Sequence, residues 1–166
     1  MGDNGVGKSS LIHRYCNGEF SENSLPADET SKYHDAKDKI IVGNKSIRLL
    51  ILDMTANVFF HKGFEITKKA FVFLLFDVSA RSTFEHLVEY IENFNDMHQD
   101  ETRILYIIGN KTDKETREVS KEEAEKFAEN YGVQYFEVSV KENKGIDDIF
   151  NRALEAVCQN LDQGKY

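Results

Sequence analysis

Gly2-Asp3-Asn4-Gly5-Val6-Gly7-Lys8-Ser9 satisfies G-x-x-x-x-G-K-[ST] at every fixed position and runs straight into an amphipathic segment. That is the pattern of a phosphate-binding loop opening a helix. Glycines let backbone N–H groups turn inward around phosphate oxygens, and the following helix adds its positive N-terminal dipole. In such a loop Asp3, Asn4, Gly5, Val6, Gly7 and Ser10 surround the phosphates. Lys8 neutralises the outer two, and Ser9 offers a hydroxyl to Mg2+.

Outward from the loop, Leu11, Ile12 and Tyr15 fall at helical spacing before Asn17-Gly18, a helix stop. Residues 20–39 are poor in aliphatics and hold the one proline, Pro26. They predict a mobile surface loop running into an edge strand. Residues 39–42 and 46–53 are strand-like around Gly43-Asn44, a hairpin signal. After an irregular stretch at 54–69, the continuous apolar run at 70–78 predicts a strand covered on both faces. Phe84, Leu87, Val88, Ile91 and Phe94 then repeat at helical spacing, with Ser82 placed to cap. A second buried strand is expected at 104–108. Ser120 and Glu123 form a capping box for a helix through Ala124, Phe127, Ala128 and Tyr131 to Gly132. Residues 133–138 read as a short strand, and Ile146, Ile149, Phe150, Ala153, Leu154 and Val157 as the stripe of a last helix. Strands alternating with helices mean an α/β fold with a largely parallel sheet.

The chain has 166 residues, 40% hydrophobic and 30% charged, which suits one globular domain spanning 1–166. No apolar run is long enough to span a bilayer, so direct membrane insertion is not expected. A net charge of −8 without Lys/Arg clusters argues against nucleic acid as a partner. Cys16 and Cys158 lack metal-ligand spacing and suit reduced thiols in a cytoplasmic protein. The histidines (His13, His34, His61, His86, His98) lie in separate elements and form no ligand set. One absence matters: a phosphate loop should follow a buried strand, yet Met1 alone precedes Gly2. Either residues lie upstream in the natural protein, or another segment fills the slot.

In open α/β sheets ligands sit at the carboxyl ends of strands. Asn110-Lys111-Thr112-Asp113 follows one predicted strand and Ser139-Val140-Lys141 another. A carboxylate at Asp113 can accept from the N1–H and the exocyclic amine of guanine, a pair adenine cannot offer. Lys111 can lay its stem along the ring, and a backbone N–H near Val140 can meet guanine O6.

With these residues the chain resembles the Ras superfamily of small GTPases, most closely its Rab and Ras branches, from Gly2 to about Leu161. The resemblance rests on Gly2 to Ser9, the hairpin leading into Asp53, Asn110 to Asp113, and Glu137-Val138-Ser139-Val140-Lys141. It implies the three-layer α/β/α P-loop NTPase fold with a mostly parallel six-stranded sheet and five helices. It further implies GDP and GTP as ligands, Mg2+ held through Ser9 and Asp53, and two switch segments that bind effectors or exchange factors. Phe20 stands where the family places an aromatic residue against guanine, although a core residue packed on the first helix is an equal reading. A monomer is expected.

The pattern departs at the γ-phosphate. Where the family has a threonine after proline, this chain has Pro26-Ala27, which lacks the Mg2+-ligating oxygen; Thr30 could replace it only through a rearranged loop. The second switch reads Asp53-Met54-Thr55-Ala56-Asn57 in place of Asp-x-x-Gly-Gln. Asn57 is one methylene shorter than the glutamine that orients the attacking water. If Met54 is an insertion, Asn57 replaces the glycine and Val58 the glutamine. Asn4 can crowd the γ-phosphate. The catalytic residues that remain are Lys8 and a weak Asn57, so hydrolysis is expected to be slow and Mg2+ loosely held or dispensable. Phe59, Phe60 and Phe64 are either core or a partner surface. Two readings stay open: a Rab-like GTPase switch, by analogy in vesicle traffic, or a pseudo-GTPase module with a structural nucleotide. The family's prenylated cysteines are not seen in Gln163-Gly164-Lys165-Tyr166, so the expectation is that an anchoring tail has been removed, which would allow peripheral membrane attachment, that a further domain follows, or that the protein never attaches to membrane.

Overall fold

The computed structural model describes residues 1–21, 33–53, 71–97 and 104–165. The expectations placed on Pro26, Ala27, Thr30 and residues 54–69, including Ala56, Asn57 and Phe59, Phe60 and Phe64, fall outside those residues.

The loop leads into α1 (Lys8–Asn17), which ends at Gly18 in a left-handed conformation with its N–H on Arg14 O. The hairpin pairs β1 (Tyr33–Val42) with β2 (Lys45–Leu52), antiparallel, with Val42 opposite Lys45. Gly43 at φ 59 takes the turn position that side chains disfavour. Strand β1 begins at Tyr33, six residues before the apolar signal at Lys39 begins, so part of the expected loop is strand. Hairpin pairing extends a strand whose own sequence is polar.

Strands β3 (Phe71–Asp77), β4 (Ile104–Asn110) and β5 (Gln134–Glu137) form a parallel sheet in the order β3-β4-β5. Alternation divides their side chains between two cores. On one face Val72, Leu74, Phe76, Leu105 and Ile107 meet α2 (Arg81–Glu85), α3 (Leu87–Met97) and α4 (Lys121–Asn130) through Phe84, Leu87, Ile91, Phe94, Ala124 and Ala128. On the other face Phe73, Leu75, Tyr106 and Ile108 meet α1 and α5 (Ile146–Asp162). Tyr15 stacks on Phe150 with ring centroids 3.7 Å apart, joining the two helices of that layer. The three-layer α/β/α architecture follows from continuous apolar strands that need cover on both faces.

Two capping details separate. Ser120 caps α4 as expected, its hydroxyl accepting from the Glu123 N–H at 3.1 Å. Ser82 does not cap: Ala80 holds the N-cap position of α2, and the helical pattern divides at His86. Thr83 draws the turn tight instead, its hydroxyl donating to Ala80 O at 2.7 Å and accepting from the Asp77 N–H at 3.0 Å.

The described strands form two sheets, one of two strands and one of three, where the resemblance implies a single sheet of six. Beside β3, the Leu75 N–H donates to Met1 O at 2.8 Å and Gly2 bridges Leu75 in parallel. Met1 and Gly2 therefore occupy the slot of the expected first strand, as one bridge. A Cβ on Gly2 would fall 2.3 Å from Leu75 O, so only glycine allows this approach. The hairpin reaches the rest through packing, with Leu49 buried and Ile47 and Ile51 partly buried against the α1/α5 core.

Candidate nucleotide site

The loop closes over α1 with Gly5 at φ 80 and Gly7 at φ 101. Both lie in the left-handed region where a side chain is strained. Gly7 also lacks room, since a Cβ there would meet Asn110 Nδ2 at 2.4 Å. Val6 is fully buried, while Asn4 is exposed. The Lys8 ammonium donates to Asp3 O at 2.6 Å across the loop. Burial lowers its pKa, and the Asp53 and Asp3 carboxylates oppose that. Ser9 Oγ donates to Asp53 Oδ2, so the hydroxyl and carboxylate expected to hold Mg2+ are brought into contact. Ser10 lies half-buried on the first turn of α1.

The base motifs cross-link to this loop. Asn110, buried at the end of β4, donates from Nδ2 to Val6 O at 2.8 Å and accepts on Oδ1 from the Val140 N–H at 3.2 Å. Lys111 adopts a left-handed backbone, φ 66, and sends its ammonium to Gly5 O at 2.7 Å. Asp113 Oδ1 accepts from Ser139 Oγ at 2.6 Å, and that fully buried hydroxyl also accepts from the Glu142 N–H at 3.0 Å. Asparagine suits its place because one amide can donate and accept in opposite directions. The Val140 N–H is engaged by Asn110 Oδ1, in the turn where a backbone N–H near Val140 is expected to meet O6. Lys141 lies exposed at the rim, its carbonyl accepting from Arg14 at 3.0 Å. Phe20 is half-buried against the α1/α5 core, with the Arg14 guanidinium 5.5 Å from its ring centroid.

Sequence reasoning missed three residues that hold this site. Asp77 ends β3 opposite Asn110 and receives the Lys111 ammonium at 2.7 Å. The signal was available: a single carboxylate closing an otherwise apolar strand needs partners. His86 Nδ1 lies 2.7 Å from Asp3 Oδ2, and the Tyr90 hydroxyl donates to Asp3 Oδ1. The Asp3 side chain is thus turned toward α3, leaving its backbone to the loop. No sequence pattern links these positions.

Among the described residues no group of His, Cys, Asp and Glu could enclose a metal ion without other ligands. A hydroxyl with one carboxylate is an incomplete set that suits an ion bound mainly by phosphates and water. Nor is any described helix long and apolar enough to cross a membrane.

The Ras family profile matches residues 1–159. Ras-related protein Rab-21 of Mus musculus is 32% identical over 153 residues, covering 90% of this chain and 67% of the mouse protein. The Rab-21 proteins of Bos taurus and Rattus norvegicus are 31% and 32% identical over the same 153 residues, with the same coverage. Members of this family are GTPases that bind GDP, GTP and Mg2+, and meet effectors or exchange factors through their switch segments. Loop, base motifs, layered fold and relatives agree: this chain belongs to the Ras family, among the small GTPases of Rab and Ras type.

Proposed function

We propose that residues 1–166 form one G domain that binds guanine nucleotide as a regulatory switch, hydrolyses GTP slowly and depends weakly on Mg2+. The observation that carries this is the cross-linking of the base motif to the phosphate loop through Asn110 to Val6 O and Lys111 to Gly5 O. A site so joined holds a base and its phosphates at one fixed separation, which fits a nucleoside diphosphate. Asp113 selects guanine through its remaining lone pairs, an amide near Val140 meets O6, and Phe20 lies against the guanine face. Lys8, Gly5, Gly7 and neighbouring backbone N–H groups take the phosphates. Ser9 and Asp53 would hold Mg2+, which when bound neutralises phosphate charge.

Slow hydrolysis rests on the residues at the other end of the ligand. Ala27 has no oxygen for the metal, and the second-switch sequence has either Ala56 or Asn57 where the family has glycine and either Asn57, one methylene shorter, or Val58 where it has the glutamine that orients water. Phosphoryl transfer depends on positioning and charge, so each loss acts on rate more than on binding. By analogy with Rab relatives, the domain would act in vesicle traffic, from the cytoplasm or a membrane periphery, through partners at its switches. Titration with GDP, GTP and ATP, with and without Mg2+, and a single-turnover hydrolysis course test this. Tight GDP and GTP binding, weak ATP binding and slow turnover are expected. Hydrolysis at an ordinary family rate that chelation abolishes would overturn the slow-switch reading. Tight binding with no turnover at all would favour the pseudo-GTPase module.

A further inference from the structure

Asp77 lies at the carboxyl end of β3, 5% exposed, beside the mouth of the site. Its Oδ1 accepts from the Ser79 N–H at 2.9 Å and the Ser79 hydroxyl at 2.6 Å. Its Oδ2 receives Lys111 Nζ at 2.7 Å and Lys114 Nζ at 3.2 Å. Lys114 is held a second time by Ser79 Oγ at 2.7 Å. Both ammonium groups come from the loop after β4, and they bracket Thr112 and Asp113. One buried carboxylate therefore grips the base-recognition loop on either side of Asp113.

We propose that Asp77 is a positioning residue for guanine recognition, fixing Lys111 and Lys114 so that Asp113 is presented to the base in a set orientation. The inference rests on the guanine-nucleotide reading above and names a residue outside the binding motifs. Buried charge of this kind is retained only with close partners, and Asp77 has four donors. A lysine stem loses several rotors when its end is fixed, and Asp77, Ser79 and Gly5 O supply the partners that fix Lys111 and Lys114. Lys111, tied to both Asp77 and Gly5 O, spans from β4 across to β3 and the phosphate loop. Its backbone is left-handed, φ 66.

The test compares GDP with inosine diphosphate, which keeps N1–H and O6 but lacks the exocyclic amine that Asp113 reads. Asp77→Asn should weaken GDP binding about tenfold and inosine diphosphate about twofold, so the preference for GDP narrows. Equal weakening of both ligands would assign Asp77 a merely structural role and overturn the proposal, as would GDP affinity within about twofold of wild type. Should Asp77→Asn fail to fold by circular dichroism, Lys114→Met removes one grip at a side chain 43% exposed. It should narrow the preference in the same direction, by about threefold. An unchanged preference in Lys114→Met refutes the inference. Wild type that binds neither ligand would remove the nucleotide reading and this inference together, whereas wild-type binding with indifferent variants removes the inference alone.

Discussion

On one flank of the phosphate loop, Asn110 and Lys111 reach Val6 O and Gly5 O at 2.8 and 2.7 Å from the end of β4; on the other, Ser9 meets Asp53 just past β2. Strand β4 is central in a parallel sheet buried on both faces. Strand β2 belongs to a hairpin with Leu50 54% and Ile41 60% exposed, which packs on the core without sharing that sheet among the described residues. The base flank is thus joined through continuous backbone hydrogen bonding, the metal flank through side-chain packing. Local stability follows such differences, because elements with fewer buried contacts open at lower free energy. The lesson for function is that affinity should reside with the base and inner phosphates.

The sharpest way to break this contrast is to attack the base flank. Asp113→Ala should reduce the preference for GDP over ADP about a hundredfold, since a lost charged acceptor leaves two guanine donors unmet. Competitive titration reads this, and a preference unchanged within threefold would place base selection elsewhere. Its fold should survive, because Asp113 is partly exposed and Ser139 keeps its bond to the Glu142 N–H.

Acid should loosen the same flank. Burial pushes the Asp77 carboxyl up, but the Lys111 and Ser79 donors outweigh it and hold its pKa at about 2, below the usual 3.8. A lowered folded pKa gives stability that is present above pH 3.8 and lost as pH falls toward 2. The loss is roughly 2 kcal/mol by linkage. Urea unfolding at pH 6 and at about pH 2.5 should show that slope in wild type and a flatter one in Asp77→Asn. Equal slopes would mean that the Lys111 contact does not favour the charged carboxylate.

The metal flank should respond least. Chelating Mg2+ is expected to speed GDP release by under about tenfold, less than 1.4 kcal/mol. Stopped-flow release with and without chelator measures it, and acceleration by several hundredfold would reverse the ranking of the flanks.

These flanks were unequally legible in the sequence. Gly2 to Ser9 and Asn110 to Asp113 are short-range patterns whose spacing follows from what phosphates and guanine require, so residues alone point to a candidate site, and the structure brings the two stretches together. Strands β3 and β4 were visible because burial on both faces demands unbroken apolar runs. Strand β1 was cut short, since pairing with β2 recruits Tyr33 to Asp38, whose composition says loop. The turn held by Thr83 uses the Asp77 N–H and Ala80 O, backbone groups that no side-chain pattern marks. Contacts such as His86 with Asp3, 83 positions apart, leave no local signature.

That contact attaches the loop at a third point and provides the smallest test. His86 Nδ1 lies 2.7 Å from Asp3 Oδ2, with the two side chains 55% and 19% exposed. The hydrogen bond to Asp3 and its charge raise the His86 pKa above 6.5, slight burial opposes, and Glu89 and Glu85 add to the rise. A raised folded pKa means the contribution is complete below pH 6.5 and fades as pH climbs through the folded value. The melting temperature of wild type should therefore exceed that of His86→Ala most near pH 6, with the gap closing by about pH 9. Since His86 is more than half exposed, about 1 M salt should shrink the gap as well. A gap that widens with pH, or ignores both pH and salt, would show that His86 supports the loop by packing. In that case Tyr90, whose hydroxyl donates to the other Asp3 oxygen, would be the group that fixes the start of the loop to α3.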